Sequence, residues 1–209
     1  MSRNGHSTED RILKAARQIF HKKGFNGARM QEIADLAEIN KALLHYYFRN
    51  KESLFEKVFN DSFSQMVSKM SEIFLSEMPL MSKVEVFVSF YFDFISIHSF
   101  IVHFIINALY EKPERLREII LRQNVSPESL LEKIHKQLKE EMGLEIDPLH
   151  IYVNILGLVI FPVIAKPLIQ SIFAIPDERM TLFLKQRKKI VPIFIANALK
   201  GYEKDKSLD

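Results

Sequence analysis

Helical periodicity runs through almost all of this 209-residue chain and restricts its fold more than any other feature. Apolar residues recur three or four positions apart in nearly every segment, as they do on one face of an α-helix. Strands would show apolar and polar residues in alternation, and no convincing pair of such segments occurs. At 47% hydrophobic residues, the chain has enough apolar material for a packed core. The sequence therefore predicts an all-α fold of about nine helices.

Residues that cap helices mark the boundaries near the N-terminus. Ser7 can accept a hydrogen bond from a first-turn amide, and Gly24 can adopt the left-handed conformation that ends many helices. Asn40 and Asn50 are N-cap candidates for two later helices. The predicted segments are a first helix from 7 or 8 to 23, a short second helix around 30–37, a third at 41–47 and a fourth from 51.

Prolines mark most of the later boundaries, because proline is favoured in the first turn of a helix. The segment 83–110 is apolar nearly all the way round, which predicts one long, central, buried helix. Pro162 and Pro167 should disturb the helix that follows residue 147, and Pro192 should kink or break the last one. The later helices are expected at 83–110, 114–122, 127–143, from 148 onward, and at 177–202.

Positive charge is concentrated at the N-terminal end of the chain. The net charge of +3 is too small to indicate nucleic-acid binding by itself. Residues 1–60, however, carry 11 Lys and Arg against 7 Asp and Glu, whereas the remainder carries 18 basic and 19 acidic residues. The excess therefore lies in one region, as expected if that region contacts phosphates.

Several classes of protein are disfavoured by composition. There is no cysteine, which excludes structural disulfides and thiolate zinc sites. The polar N-terminus does not resemble a secretory signal. The longest apolar stretch, Val84–Tyr110, contains Glu85 and Asp93, and each charge at a bilayer centre costs roughly 2.5–3.5 kcal/mol. We therefore expect a cytoplasmic protein that does not associate with membranes.

The segment Ala34–Phe48 has the organisation of a helix-turn-helix. A short helical run ends in a tight break at 38–40, and a second helix rich in hydrogen-bonding and aromatic side chains follows. In such a motif the second helix enters the major groove and presents its N-terminal residues to base edges. The alternative is that two short helices with polar outer faces belong to an ordinary helical protein.

Spacing places polar and aromatic side chains on the outer face of this second helix. Lys41 can donate to guanine, and Ala42 or Leu43 can pack on a thymine methyl group. Gln31 can read adenine or hold the backbone, and Arg29 can contact a phosphate. The candidate DNA-binding residues on these grounds are Arg29, Gln31, Asn40, Lys41, Ala42, Leu43, His45, Tyr46 and Tyr47.

The residues themselves point to a family. The N-terminal region resembles the signature of TetR-family transcriptional regulators over about 50 residues, in the correct order and spacing. The matching positions are Arg11-Ile12-Leu13, Ala15-Ala16, Phe20, Gly24-Phe25, Ile33-Ala34, Ala37, Leu44, Tyr47-Phe48 and Lys51-Glu52-Ser53-Leu54. The resemblance implies a homodimer in which a three-helix head, residues 1–52 with its motif at about 28–47, precedes a helical ligand-sensing and dimerisation body, residues 53–209. It also implies that Lys51 touches a phosphate.

This chain departs from the family pattern within the motif. Glu38 replaces the turn glycine and must tolerate the turn geometry. Ala28 and Arg29 replace the hydroxyl residues that usually begin the second helix, so a cap is lost and a possible phosphate contact is gained. Leu43 and His45 also differ from the usual recognition-helix residues. The scaffold is expected to be the same, whereas the operator sequence cannot be transferred.

The body has a composition suited to a small hydrophobic or aromatic ligand. Aromatic residues follow the predicted central helix and are interrupted by polar groups that could orient a ligand. The alternative is a plain core in which each polar group is paired with a neighbouring helix. The pocket candidates are Phe87, Phe90, Tyr91, Phe94, His98, His103, Phe104 and Asn107.

The last two helices carry the candidate dimer face. An isolated subunit would expose much of their apolar surface, so a twofold four-helix bundle is predicted, with intrachain packing as the alternative. The residues concerned are Tyr152, Ile155, Leu156, Val159, Ile160, Leu182, Phe183, Ile190, Ile193, Phe194 and Ala198.

No spacing indicates a metal centre, a phosphate loop or a catalytic constellation, so neither an enzyme nor a cofactor is expected. The prediction is a repressor that binds a palindromic operator as a homodimer and is released by a small ligand. Two alternatives stay open. One is a DNA-binding protein of the same fold without a small-molecule inducer, and the other is a helical ligand- or protein-binding module that does not bind DNA.

Overall fold

The fold is all-helical over the residues that the computed structural model describes, namely 7–98, 101–102, 105–106, 113–122 and 126–202. Ten helices and no strand occur in this part of the chain, close to the predicted number. The helices are α1 (Thr8–Gly27), α2 (Met30–Leu36), α3 (Lys41–Tyr47), α4 (Lys51–Leu75), α5 (Leu80–Ile97), α6 (Pro113–Leu121), α7 (Pro127–Met142), α8 (Pro148–Ile164), α9 (Lys166–Phe173) and α10 (Asp177–Tyr202).

Side-chain caps begin the helices where the sequence predicted them. Ser7 and Asp10 form a reciprocal capping box at the start of α1. The Asn40 side chain accepts from the Leu43 amide at 2.7 Å, and the Asn50 side chain accepts from the Ser53 amide at 2.8 Å. These bonds pair donors that a helix N-terminus otherwise leaves without partners.

Contacts divide the chain into two compact units. The first comprises Met1–Gln65 and Ile97–Ile119, and the second comprises Met66–Ser96 and Ile120–Asp209. Helix α4 contributes residues to both. The predicted boundary after residue 52, between a DNA-binding head and a ligand-sensing body, concerns function and stays a prediction.

The predicted helix 83–110 is shorter than expected. Helix α5 begins at Leu80 and ends at Ile97, and His98 is not helical. The Ile101 amide donates to the His98 carbonyl at 2.9 Å, which marks a new turn after the break. Apolar periodicity continues across this break, so the pattern alone predicted one helix where the chain forms more than one element.

Prolines 162 and 192 lie inside helices that continue past them. The chain bends by 63° between α8 and α9, at Ala165. Because Pro162 has no N–H, it cannot donate to the carbonyl of Leu158, four residues earlier. The Arg187 guanidinium from α10 donates to that carbonyl at 2.7 Å and replaces the missing bond.

Within the described residues, no single helix combines the length and hydropathy of a membrane span, and only the bent pair α8–α9 reaches them by length and composition.

A buried polar network joins the ends of three helices in the second unit. The Lys83 ammonium is fully buried and donates to the Phe74 carbonyl at 2.8 Å and to Gln137 Oε1 at 2.6 Å. Glu141 accepts from the Leu80 amide at 2.8 Å. Burial lowers the pKa of Lys83, and the hydrogen bonds replace part of the lost hydration.

Candidate DNA-binding site

Helix α3 exposes the side chains that the sequence predicted and buries the ones that anchor it. Leu44 is fully buried, and Phe48 just beyond the helix is also buried. Their burial fixes α3 against the rest of the first unit and turns the opposite side outward. The exposed positions are Lys41, Ala42, Leu43, His45, Tyr46 and Tyr47.

The N-terminus of α3 is held by Asn40, whose side-chain oxygen is used by the cap. The neighbouring Lys41 is exposed and makes no described contact that would hold it in place. Tyr46 is 82% exposed, and its ring lies perpendicular to that of Tyr47 with centroids 5.6 Å apart. The helix therefore presents an ammonium group and two phenols to the outside.

His45 and Gln31 each have an internal partner. His45 Nδ1 lies 3.3 Å from the Arg49 carbonyl, and Gln31 Nε2 donates to Asp35 Oδ1 at 2.7 Å along α2. Both side chains are exposed. A contact between Gln31 and a base would have to compete with the Asp35 carboxylate.

Helix α2 begins without a side-chain cap. Arg29 occupies the N-cap position and its side chain makes no capping bond, as the loss of a hydroxyl residue predicted. Glu32 compensates in part, because its carboxylate pairs with Lys23 at 2.7 Å and accepts from the Arg29 backbone. The bond from Lys23 is the main reason why the pKa of Glu32 is lowered. The Arg29 guanidinium is left exposed.

The turn between α2 and α3 has the strained geometry expected at a glycine position. Glu38 has a φ of 53°, in the left-handed region that non-glycine residues avoid. The Arg11 guanidinium reaches across from α1 and donates to the carbonyls of Ala37 and Glu38, the latter at 2.9 Å. It also lies 3.8 Å from the Glu38 carboxylate.

Lys51 faces the interior of the head. Its ammonium donates to the Phe25 carbonyl at 2.9 Å and to the Ala28 carbonyl at 3.2 Å, and lies 4.5 Å from the centre of the Phe25 ring. These contacts tie the connection between α1 and α2 to the start of α4. An ammonium has three donors, so a phosphate contact by Lys51 stays a prediction.

Gly24 ends the regular part of α1 with φ 66° and ψ 179°. The positive φ agrees with the prediction of a glycine-dependent stop, although ψ differs from the usual left-handed cap. A Cβ atom at this position would meet nothing within 4 Å. The requirement for glycine therefore comes from backbone conformation alone.

The aromatic pocket candidates on α5 pack against one another. Phe87, Tyr91 and Phe94 are buried, with ring centroids 5.7 Å apart for Phe87 and Tyr91. Phe90 is half-buried and lies 5.6 Å from Phe94, centroid to centroid. Burial raises the pKa of Tyr91 above its ordinary range. This packing is compatible with either a plain core or a ligand site.

The polar pocket candidates are placed differently or not described. His98 belongs to the first unit, where burial and then the positive charges of Arg17 and His21 lower its pKa. His103, Phe104 and Asn107 lie outside the described residues. Among the residues that are described, no group of three potential ligands could hold a metal ion.

A cavity of about 160 Å³ lies between α8 and α10, and none of the predicted pocket residues lines it. Its lining consists of Ile151, Asn154, Leu158, Phe194, Ile195, Ala198, Leu199 and Tyr202. Most of these side chains are apolar, and Asn154 and Tyr202 supply polar groups. The apolar pattern of these helices predicted a subunit interface in this region and not a cavity.

The outer surface of α8, α9 and α10 is strongly apolar. Most of the predicted dimer face is exposed or half-exposed, but Ile155 and Val159 are buried in the core of the subunit, so their assignment to that face was wrong. Periodicity identified an apolar helix without showing which of its apolar sides faces inward. The large exposed apolar residues of this surface are Leu149, Val153, Phe161, Leu168, Ile172, Phe173, Leu182, Ile190, Ile193 and Phe194.

Arg11 is the functional candidate that the sequence analysis missed as such. It was quoted only as part of a family signature, whereas the structure shows it bonded to the turn of the motif, 26 and 27 residues away. No local sequence pattern predicts a contact between positions so far apart.

Comparison with known proteins gives the same picture of the first unit. Residues 12–58 match the model of the family described as bacterial regulatory proteins, tetR family. The transcriptional repressor NicS of Pseudomonas putida is 44% identical over 66 residues, which are 30% of this chain and 31% of NicS. The chain therefore aligns with about a third of that relative.

Other matches extend over most of the chain. The probable HTH-type transcriptional regulator YttP of Bacillus subtilis is 27% identical over 79% of this chain and 82% of its own length. The crystal structure of the transcriptional regulator FadR from Bacillus subtilis in complex with stearoyl-CoA has a TM-score of 0.55 at 16% identity, covering 86% of this chain and 95% of that one. The likeness to FadR concerns the fold.

Proposed function

We propose that this chain, which belongs to the TetR family of bacterial regulatory proteins, represses transcription by binding a palindromic operator as a homodimer. Its matched relatives are transcriptional regulators and not enzymes, and regulators of this family bind DNA and dimerise. The observation that carries the proposal is the outward face of α3, which is fixed by the Asn40 cap and the buried Leu44. The cytoplasm, where such DNA is accessible, is the proposed location.

In the proposed complex, α3 enters the major groove with its N-terminus towards the bases. Lys41 donates to guanine O6 or N7, and Ala42 or Leu43 contacts a thymine methyl group. Arg29 and Lys51 contact phosphates and set the register. Asn40, Gln31, His45, Tyr46 and Tyr47 complete the proposed surface.

Two such heads are required, because a twofold dimer reads a palindrome. Half-sites read by helix-turn-helix dimers lie about 34–36 Å apart, one turn of DNA. The exposed apolar surfaces of α8 and α10 are the proposed dimer face, since they would otherwise leave large side chains such as Phe194 in water. A C2 interface uses the same patch on both subunits, which suits a single self-complementary surface.

A small hydrophobic ligand is the proposed signal. The aromatic residues on α5, Phe87, Phe90, Tyr91 and Phe94, offer apolar contacts for it, and His98, His103, Phe104 and Asn107 are the further candidates. The FadR structure contains stearoyl-CoA, which supports a long apolar ligand as one class to test. A typical coupling of about 1–3 kcal/mol would lower operator affinity roughly 5–150-fold.

The first test is sequencing of the genomic fragments that the purified protein selects. A palindrome is the expected result. If no fragment is enriched at low salt, the DNA-binding proposal fails and the helical binding module becomes the better explanation. If a palindrome is enriched but a panel of acyl compounds changes neither operator affinity nor melting temperature, a regulator without a small-molecule inducer is favoured.

Substitutions then separate base reading from phosphate contact. Lys41→Ala should reduce affinity for the selected duplex by about 1–3 kcal/mol and relax the preference at one base pair. Lys51→Ala should weaken binding to all duplexes and reduce the salt dependence, because a phosphate contact is lost. An additional loss on the selected duplex alone would come from its bonds to the Phe25 and Ala28 carbonyls. Lys136→Ala, an exposed lysine on α7 and outside the proposed dimer face, removes the same charge from the body and serves as the control. If Lys41→Ala also weakened every duplex by the same factor, this division of roles would be rejected.

A further inference from the structure

The C-terminal end of α2 is closed by a Schellman motif, in which Glu38 takes the left-handed position after the C-cap Ala37. The carbonyls of Ile33, Ala34 and Asp35 accept from the amides of the turn that follows, at 2.9, 3.0 and 3.1 Å. The carbonyls of Ala37 and Glu38 lie beyond the helix and are not used by this motif. No helical amide can reach them, so another group has to pair with them or water does.

That other group is the guanidinium of Arg11. One nitrogen, Nη2, donates to both carbonyls, and the Glu38 carboxylate lies near the same nitrogen. Arg11 itself is held in place, because the adjacent Ile12 and the Ala15 one turn later are buried on α1. The turn of the motif is thereby fastened to a helix that belongs to the core of the first unit.

The hydrogen bonds from Arg11 are made where the backbone is strained. Glu38 keeps a φ of 53° without the freedom of glycine, so this turn has a conformation that the residue does not favour by itself. Charge-assisted bonds to its carbonyl and to the preceding one stabilise that conformation. Asn40 and Lys41 follow within three residues, so any change in the turn moves the start of α3.

We infer that Arg11 is a positioning residue for DNA recognition: it fixes the turn between α2 and α3 and thereby sets the place of the recognition helix. The inference rests on the proposed DNA binding. Arg11 reads no base in this role. Its loss displaces the start of α3, which affects sequence-specific contacts more than the general attraction of the head to phosphates.

Lys51 gives the same arrangement at the other end of α2. Its ammonium pairs with the carbonyl of Phe25, in the last turn of α1, and with that of Ala28, between α1 and α2. Both connections of α2 are therefore tied by a cation from a different helix. Arg11 is the better test of positioning, because no phosphate contact is proposed for it.

The chain offers a matched control on the same helix. Arg17 also lies on α1 and pairs with Asp61 at 3.5 Å, away from the turn of the motif. Arg11→Ala and Arg17→Ala thus remove the same group and the same charge. Each full-length variant is titrated against two fluorescein-labelled duplexes, one that the wild-type protein enriches from a random pool and one of random sequence.

Arg11→Ala should lose about tenfold or more in affinity for the enriched duplex relative to Arg17→Ala. On the random duplex, the two variants should agree within about twofold, with equal salt dependence. Adding Glu38→Gly to Arg11→Ala should restore part of the specific affinity, because glycine adopts the turn conformation unaided. Because Glu38→Gly also stabilises the turn by itself, it is added to Arg17→Ala as well, where it should raise the specific affinity little.

Hydrogen exchange provides a readout that does not depend on DNA. Peptides covering 34–44 should exchange faster in Arg11→Ala than in Arg17→Ala, whereas peptides from α7, which neither arginine contacts, should not differ. Should either alanine variant fail to fold, Arg11→Lys and Arg17→Lys repeat the comparison with both charges kept.

Three results would overturn the inference. The first is equal affinity of the two variants for the enriched duplex, and the second is equal hydrogen exchange in 34–44. The third is a loss of affinity in Arg11→Ala that is the same on both duplexes and comes with a weaker salt dependence, because this result indicates a phosphate contact. If the wild-type protein enriches no duplex at all, the proposed function fails, and the exchange comparison still decides whether Arg11 holds the turn.

Discussion

Helix α3 and the α8–α10 surface both expose large side chains, but of opposite chemistry. On α3, the most exposed is Tyr46, which ends in a hydroxyl group. On the other surface, Phe173 is 67% exposed and Phe194 is 60% exposed, and neither has a polar end. Exposed apolar area costs about 25 cal/mol per Å², whereas a phenol keeps its hydrogen bond to water. A surface like that of α3 can bind reversibly to a polar partner, whereas a surface like that of α8–α10 is expected in a permanent protein interface.

The strongest test of this contrast introduces a charge into the apolar surface. Phe194→Asp should shift the protein from dimer to monomer in sedimentation equilibrium and weaken operator binding, because an unpaired carboxylate would be buried in the proposed interface. The expected cost is that of an interface hot spot, about 2–4 kcal/mol.

Val86→Asp is the matched control, since Val86 is an exposed valine on α5, outside the proposed face. It should leave the dimer intact. Equal behaviour of the two variants, whether both dimeric or both dissociated, would contradict the proposed location of the interface.

The body exposes apolar side chains on its surface but buries a charged group, the Lys83 ammonium, in its interior. Lys83→Met keeps the length of the side chain and removes the donor from the Phe74 carbonyl and Gln137 Oε1. Urea denaturation should show a free energy of unfolding lower by about 1–3 kcal/mol. Lys133→Met breaks the exposed pair with Glu77 and should change little. An unchanged midpoint for Lys83→Met would show that the network adds no stability.

This network also predicts a pH dependence. Burial lowers the pKa of Lys83 in the folded state below 10.5, so between the two values the unfolded chain binds more protons. Stability contributed by this group therefore rises as the pH rises through that window. The wild-type protein should show this rise relative to Lys83→Met, and parallel pH profiles would speak against it.

In the head, two positive-φ positions should respond in opposite directions. Gly24→Ala places a side chain in a backbone region that is nearly restricted to glycine, at a cost of about 1–3 kcal/mol. Glu38→Gly removes a left-handed strain of about 1–2 kcal/mol, partly offset by the entropy of glycine in the unfolded chain. The melting temperature should therefore fall for Gly24→Ala and rise slightly for Glu38→Gly. A change of the same sign for both would contradict the conformational explanation.

The smallest expected effect separates stability from DNA binding at one position. Arg29→Ser should complete a capping box with Glu32 and add about 0.5–2 kcal/mol of stability. It should also reduce the slope of log K against log salt by about 0.9, because one proposed phosphate contact is lost. A more stable variant with an unchanged salt slope would remove Arg29 from the DNA-binding surface.

Much of the head could be predicted from sequence because its determinants are local. The caps at Ser7, Asn40 and Asn50 act within three residues, and all three are confirmed. The sorting of Leu44 inward and Tyr46 outward follows from the 3.6-residue repeat in the same way. The body was harder to predict, since its helices are apolar on several sides and repetition does not distinguish core from interface.

The order of the elements, the all-helical class and the outward face of α3 follow from the sequence alone, because periodicity, capping and turn chemistry act over a few residues. The tertiary structure decided which distant groups meet: Arg11 with the turn at Glu38, Lys51 with the end of α1, and Arg187 with the carbonyl that Pro162 leaves without a donor. These pairings join residues 23 to 29 positions apart, so they depend on how helices pack and have no local signature. The burial of Ile155 and Val159 was settled in the same way, by packing.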